Sequence, residues 1–481
     1  MIAPARIAAY EILKAVSSGR SDLPTAIAAA RDGLRDDRDR ALAAEIATGV
    51  QRWRSTLDHL IAALSRRATD RLDSEVVDIL RLSGYQLLHL TRVPASAVVD
   101  DAVKLTRRVG KHSAAGFVNA VLRALSRRRN DLPLPARPSG TSVPARDLRP
   151  RQGPPSPSAT SVPASGDGGG RDAMLDYLSI TLSHPRWLVE RWLDRYGFET
   201  TEVWLRFNNT PAPLTLRANR LRATPEEVVE RLAKDDVHLI RGRYAPDALI
   251  VESGHPLRGR LEGLFVVQDE ASQLVALLAE PRPGWRVLDA CASPGGKTTA
   301  LAAALDASGR LIASDVRRRR MTLLRKTLIA AGADQVRLVQ MDLLHPLPFT
   351  RPFDLVLVDA PCSGLGTLRR DPDLRWRRNE RDLPGLAAAE LVMLRHAADA
   401  VAPGGRLVYA TCSSEADENE GVVDAFLATT PDFAPLDARQ AAPRLPPELI
   451  DARGHLRTEP HAHGLEAFFG AVLVRRGGTD L

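Results

Sequence analysis

The sequence predicts an all-α domain, a small α+β segment and then a doubly wound α/β domain, and three observations carry that prediction. Apolar residues recur at helical spacing through the first 130 positions. From residue 263 onward, short apolar runs alternate with helical stretches, which is the pattern of parallel strands joined by crossover helices. The three cysteines, Cys291, Cys362 and Cys412, each fall at the end of one of those runs, and none lies anywhere else. Cysteines retained only for packing would be scattered, so chemistry is the better account of this placement.

In residues 1–130, Ile7, Tyr10, Glu11, Leu13 and Val16 begin one amphipathic stretch, and Val76, Ile79, Leu80, Tyr85, Leu87 and Leu88 mark another. Val98, Val99, Val103 and Leu105 lead into a third, 117–125. Residues 131–172 are rich in Pro, Ser, Gly and Arg and poor in large apolar side chains, so they cannot bury enough surface to offset ordering entropy and read as a disordered linker. Residues 173–262 read as the α+β segment: a helix over 185–196, a strand over 214–217 and a helix over 224–233. The last opens with Thr224, Pro225 and Glu227, the pattern of a capping box with proline at its first position. In residues 263–481 the expected strands are 286–289, 310–315, 336–342, 353–359 and 406–412, followed by two late ones.

A chain of 481 residues, 44% hydrophobic and 26% charged, is typical of a soluble multidomain protein. No run approaches the roughly 18 apolar residues of a membrane helix. The N-terminus lacks a signal peptide's basic-then-apolar layout, and three cysteines without short-range pairing fit a reducing compartment, so a cytoplasmic protein is expected. The net charge of +7 is uneven: residues 1–130 hold 22 Lys/Arg against 14 Asp/Glu, and the remainder 44 against 45. A basic lobe on a neutral one points to a polyanionic partner.

The loop after the first strand runs Asp289, Ala290, Cys291, Ala292, Ser293, Pro294, Gly295, Gly296, Lys297, Thr298. Its end resembles a P-loop, but a P-loop needs glycine where Cys291 stands. Asp315 ends the second strand, where an acidic residue binds ribose hydroxyls, and Asp342 ends the third, where a carboxylate accepts from an adenine amino group. A glycine loop with this ordered acidic set suits S-adenosylmethionine better than a triphosphate. At the fourth strand end stands Asp359-Ala360-Pro361-Cys362, where amino-group methylators place Pro-Pro-aromatic; cysteine there shifts the target from nitrogen toward carbon. Carbon 5 of a pyrimidine is a poor nucleophile until a thiolate adds at carbon 6. Such an enzyme needs a cysteine nucleophile, an acid near ring N3 and a base for the carbon-5 proton. The spacing of Cys362 and Cys412 leaves open which is the nucleophile. DNA cytosine-5 methyltransferases use a cysteine that follows proline, as Cys362 does.

Three segments, 289–298, Asp359 to Gly366, and Tyr409-Ala410-Thr411-Cys412-Ser413, together resemble the Sun/Fmu (RsmB) ribosomal RNA cytosine-5 methyltransferases, and residues 1–130 resemble the helical RNA-binding module NusB. Gln268 to Ser272 and Glu418-Asn419-Glu420 also match. The segment 463–469 matches less well, since Glu466-Ala467 stands where the family usually has Asp-Gly. The resemblance implies a Rossmann-like class I methyltransferase domain with a mixed sheet. It implies Cys412 as nucleophile, Cys362 as the residue that assists adduct release, Asp359 at the cytosine edge and Lys297 as a positioning group. S-adenosylmethionine would rest on Cys291, Ala292, Ser293, Pro294, Gly295, Gly296, Lys297, Asp315, Asp342 and Asp359. The implied partner is RNA, a cytosine of 16S rRNA, unstacked into the pocket; no membrane or metal is implied, and the chain is expected to be a monomer. The alternatives are another RNA such as tRNA as substrate, or a non-catalytic RNA-binding assembly factor. The runs Arg317 to Arg320 and Arg369, Arg370, Arg375, Arg377 and Arg378 are candidates for RNA phosphates, the second favoured because it follows the fourth-strand motif.

Overall fold

Residues 2–138, 168–258, 263–305 and 308–477 are described in the computed structural model, and they pack as two units. The first holds the N-terminal helices, the chain from Gly168 to Pro211 and the segment Leu368–Glu380. Its N-terminal helices are Pro4–Ser17, Leu23–Arg31, Asp37–Arg52, Arg54–Ser65, Ser74–His89, Ala95–Arg108 and Ala115–Arg127. Ser74–His89 is buried at every position from Val76 to Leu87, so it forms the axis around which the others pack. Helix Asp37–Arg52 reaches that axis closely because Gly49 has no Cβ; a methyl there would enter the Tyr85 ring. Two of the buried arginines are paired with carboxylates: Arg6 bonds Asp101 at 2.5 Å and Gln86 at 2.8 Å, and Arg81 forks onto Asp58 at 2.6 and 2.8 Å. Tyr10, Leu13 and Val16 face the core as expected, whereas Glu11 is exposed.

Most of the stretch read as a linker, 139–167, lies outside the described residues; its last positions begin the helix Gly168–Asp176. The helix expected over 185–196 instead runs Arg186–Asn209, with a break at Gly197 (φ 77°) that only glycine adopts cheaply. The second half was legible, since Phe198, Thr201, Trp204, Leu205 and Asn208 recur at helical spacing and are buried.

The segment Leu368–Glu380 docks in this helical unit through Arg375, which has no accessible surface. Its guanidinium donates to the carbonyls of Ser183 (2.9 Å), Arg52 (3.3 Å), Leu368 (3.3 Å) and Asn208 (3.4 Å) and to Asn209 Oδ1 (3.0 Å). Trp376 Nε1 donates to Gln51 O at 2.6 Å, and Arg369 donates to Pro211 O at 2.7 Å while stacking over Phe207. The expectation that Arg375 meets RNA phosphates is therefore corrected: its two terminal nitrogens are engaged inside this unit, chiefly by backbone carbonyls.

The second unit holds Ala212–Thr367 and the residues from Arg381 onward. Its strands are β1 (Thr215–Ala218), β2 (His238–Arg241), β3 (Ala248–Ser253), β4 (Phe265–Val267), β5 (Arg286–Asp289), β6 (Arg310–Asp315), β7 (Arg337–Gln340), β8 (Phe353–Asp359), β9 (Val401–Thr411), β10 (Phe433–Leu436), β11 (Leu456–Thr458) and β12 (Phe468–Arg475). The first four form an antiparallel sheet, β2-β3-β1-β4, beside helix Pro225–Ala233, whose capping box is present as read: Thr224 Oγ1 accepts from Glu227 N, and Glu227 accepts from Thr224 N.

The large sheet runs β10-β12-β9-β8-β5-β6-β7, with β11 on β12. β7, β6, β5, β8 and β9 are parallel; β12 and β10 add antiparallel strands, giving the mixed sheet. Three late strands stand where two were expected, because β11 has only three residues. Alternate side chains of the central strands face opposite layers. Val287, Leu355, Leu357, Val408 and Ala410 pack with helices Glu270–Ala279, Gly296–Ala304 and Arg318–Ala331, while Leu288, Val356, Val358, Leu407 and Tyr409 pack with Leu383–Asp399 and Glu420–Thr429. The chain leaves β5 toward β6 and β7, then returns to β8 on the other side. That switch point opens a crevice at the carboxyl ends of β5 and β8.

Candidate active site

Three strand ends deliver the site. After β5 the loop turns at Gly295 (φ 110°), which caps helix Gly296–Ala304. Asp289, at the end of β5, is fully buried; Thr298 Oγ1 donates to its Oδ2 at 2.6 Å, and Oδ1 has no hydrogen-bond partner. Burial pushes its carboxyl up to about 7. The backbone of Ala290 and Ala292 is stitched to Leu357 and Ser314, and burial raises the Cys291 thiol.

Lys297, on the first turn of the helix, reaches Asp359 Oδ2 at 2.7 Å across the crevice from the end of β8. Burial opposes the ammonium, but the Asp359 carboxylate outweighs it, so Lys297 is held above its ordinary range. At the end of β6, Asp315 is buried and lies 3.5 Å from Arg320. Asp342 falls beyond β7 rather than ending it, and its Oδ1 accepts from Leu344 N at 2.9 Å, tightening its own turn.

The two remaining cysteines come together. Cys362 follows β8, Cys412 follows β9, and their Sγ atoms lie 3.3 Å apart. The hydrogen bond with Cys412, then burial, raises the Cys362 thiol well above its usual range. The Cys362 turn closes on Gly366, whose N–H donates to Cys412 O at 2.9 Å and whose carbonyl accepts from Ala467 N at 3.0 Å. A Cβ there would collide with the carbonyl oxygens of Ala467 and Cys412.

The residues named from the sequence thus form one glycine loop, one ion pair and one thiol pair around the switch point. Arg317 to Arg320 are exposed at the start of helix Arg318–Ala331. Two groups beneath the thiols carried no assigned role: Glu418, buried and bonded to both cysteine loops, and Glu390, buried behind it. An acid inside a helical pattern reads as a solvent face, so only the Glu418-Asn419-Glu420 match pointed there. Among the described residues, no cluster of His, Cys, Asp and Glu is arranged to hold a metal, and no helix is long and apolar enough to cross a membrane.

A doubly wound sheet with a glycine loop, acidic strand ends and a thiol pair at its switch point defines a methyltransferase. Three family profiles match the chain: the NusB family over 3–127, an RsmF/B-like ferredoxin-like domain over 184–258, and 16S rRNA methyltransferase RsmB/F over 276–474. Ribosomal RNA small subunit methyltransferase B of Pseudomonas putida is 33% identical over 98% of this chain and 98% of its own length. The probable ribosomal RNA small subunit methyltransferase B of Bacillus subtilis is 31% identical over 92% of each. The solved structure of PH0851 matches with a TM-score of 0.75 and 25% identity, over 98% of this chain and 99% of its own. The chain belongs to the ribosomal RNA small subunit methyltransferase B family.

Proposed function

We propose that the protein methylates carbon 5 of a cytosine in 16S rRNA, using S-adenosylmethionine and two cysteines with different tasks. The observation that carries this reading is the 3.3 Å approach of Cys362 and Cys412 beside the Lys297–Asp359 pair. In this reading Cys412 Sγ adds to ring carbon 6, which makes carbon 5 nucleophilic. Asp359 holds the cytosine edge, and Lys297 keeps a positive charge beside it. After methylation Cys362 accepts the carbon-5 proton, directly or through water, and the Cys412–carbon 6 bond breaks as the double bond re-forms.

The crevice suits the cofactor. Asp289 Oδ1 is an unpartnered buried acceptor, and Asp315 places a buried carboxylate at the β6 end where ribose hydroxyls would be held. The loop from Cys291 to Lys297 would carry its methionine portion, with Asp342 toward the adenine. When bound, the cofactor supplies an electrophilic methyl on a sulfonium, a cation that the acidic set Asp289, Asp315 and Asp359 counterbalances.

The test is transfer of labelled methyl to unmodified small-subunit rRNA by wild type, Cys412→Ala and Cys362→Ala. Cys412→Ala is expected to be inactive, and Cys362→Ala to accumulate a denaturation-resistant protein–RNA adduct. An adduct formed by Cys412→Ala but not by Cys362→Ala would reverse the two roles. Transfer to tRNA but not rRNA would move the substrate.

A further inference from the structure

We infer that Glu418 is a positioning residue that sets the spacing of the two active-site thiols; this rests on the two-cysteine reading above. The sheet aligns the strand ends, with Asp359 opposite Ala410 and Ala360 N donating to Ala410 O at 2.8 Å, but both chains then leave the sheet as loops. Past that point something else must hold Cys362 and Cys412 at 3.3 Å.

Glu418 does so with a single carboxylate. Its Oε1 accepts from the backbone N–H of Ser363 at 2.6 Å, and its Oε2 accepts from Ser413 Oγ at 2.5 Å. Ser363 and Ser413 are the residues immediately after the two cysteines, so the carboxylate clasps both loops at equivalent places. The two serine hydroxyls lie 3.2 Å apart and close the ring. Glu418 is itself fixed, since Tyr409 OH donates to its carbonyl at 2.5 Å. Its neighbour Asn419 ties only the Cys412 side, accepting from Thr411 Oγ1 at 2.5 Å and donating to Ser413 O at 3.1 Å.

Glu418 has no accessible surface, and its carboxylate oxygens take neutral donors, Ser363 N–H and Ser413 Oγ. Burying a carboxylate against neutral donors is an expensive way to stabilise a fold. It is a direct way to hold two loops in register. An amide can do nearly the same: the Gln carbonyl would accept from Ser363 N–H, which cannot reverse, while the Ser413 hydroxyl rotates to accept from the amide. Aspartate keeps the charge but falls one methylene short of spanning both loops.

The experiment compares wild type with Glu418→Ala, Glu418→Asp and Glu418→Gln. Displacing a reacting group by about 1 Å costs about 100-fold in rate. Accordingly Glu418→Ala and Glu418→Asp are expected to lose about 100-fold in kcat, with KM for rRNA unchanged. They should also accumulate adduct, because Cys362 no longer reaches it, and Glu418→Gln should restore most of the rate. Phenylarsine oxide, which bridges two nearby thiols, reads the spacing without catalysis: wild type should bind it in a 1:1 ratio, and the Ala and Asp variants should bind at least about 10-fold more weakly. Equal arsenical affinity in wild type and Glu418→Asp, or an equal loss of kcat in Glu418→Gln, would overturn the inference. If wild type transfers no methyl and Cys362→Ala traps no adduct, the proposed function falls instead, and the arsenical measurement still decides the spacing. Should Glu418→Ala fail to fold, Glu418→Asp carries the test.

Discussion

Arg375 offers the sharpest test of how the helical unit is held together. It is a fully buried guanidinium with five oxygen acceptors, none of them a carboxylate. Replacing it with alanine removes all five bonds, the two shortest being to Ser183 O at 2.9 Å, in a fully buried residue, and to Asn209 Oδ1 at 3.0 Å, in a half-buried one. An unsatisfied buried group costs about 1–3 kcal/mol, so the pair gives about 2–6 kcal/mol. Burial, and then the nearby Arg52, already holds the guanidinium well below its usual range, so removing it recovers part of that cost. We expect a net loss of about 3 kcal/mol for Arg375→Ala, and a similar loss for Arg375→Met, which fills volume but satisfies no acceptor. The assay is urea unfolding followed by tryptophan fluorescence. Trp53, Trp187, Trp192, Trp204 and Trp376 lie in this unit and only Trp285 in the other, so the signal reports the right unit. With a slope of about 2–3 kcal/mol per molar urea, the midpoint should fall by about 1 M. Midpoints unchanged in both variants would refute the view that this arginine anchors the segment Leu368–Glu380.

Two further perturbations probe the site. Gly366→Ala drives a Cβ against the carbonyls that close the Cys362 turn, including Cys412 O at 2.7 Å, and should lower kcat by about 100-fold while circular dichroism stays that of wild type; wild-type kcat would mean the turn yields freely. Glu390 is pushed up to about 10, first by burial and then by Glu418 and Cys362, against 4.5 when unfolded. The folded state therefore holds a proton that the unfolded state releases, and this group costs stability progressively as pH rises from 4.5 to about 10, with a slope of about 1.4 kcal/mol per pH unit. Glu390→Gln, whose amide oxygen can still accept from the Tyr409 hydroxyl, should unfold at higher urea than wild type at pH 8 and lose that advantage near pH 4.5. An advantage constant between those pH values would show that Glu390 is ionised in the fold.

The parts of this architecture that the sequence made legible are those where local pattern and tertiary role agree. β5, β6 and β8 match their expected bounds, because a parallel strand buried on both faces must be a continuous apolar run and must stop where the loop begins. The loops after β5, β8 and β9 were legible because reactive residue types stand there in fixed order. β7 is shorter than expected because Asp342 bonds a local N–H instead of continuing the ladder. Arg375 left no trace of its environment. Among neighbouring arginines it reads as a phosphate contact, and only the folded chain brings Arg52, Ser183 and Asn208 to it. Glu418 was hidden for a related reason, since its value lies in reaching two loops that are 55 and 5 residues away in sequence.

The electrostatics of the thiol pair bear on the question that spacing left open. Two thiols 3.3 Å apart share a hydrogen bond, and whichever keeps its proton donates it to the other. Cys362 is the one raised, by that bond first and by burial second, with Cys412 and Glu418 adding negative charge around it. Cys362 therefore ionises less readily than a free thiol, and either sulfur can donate in the bond between them. The Lys297 charge is favoured by Asp359 and next by Cys412. The site is asymmetric although both residues are cysteines. Under the proposed roles Cys362 must give up its proton before it can accept the one on carbon 5, and its raised thiol makes the thiolate so formed a strong base for that step.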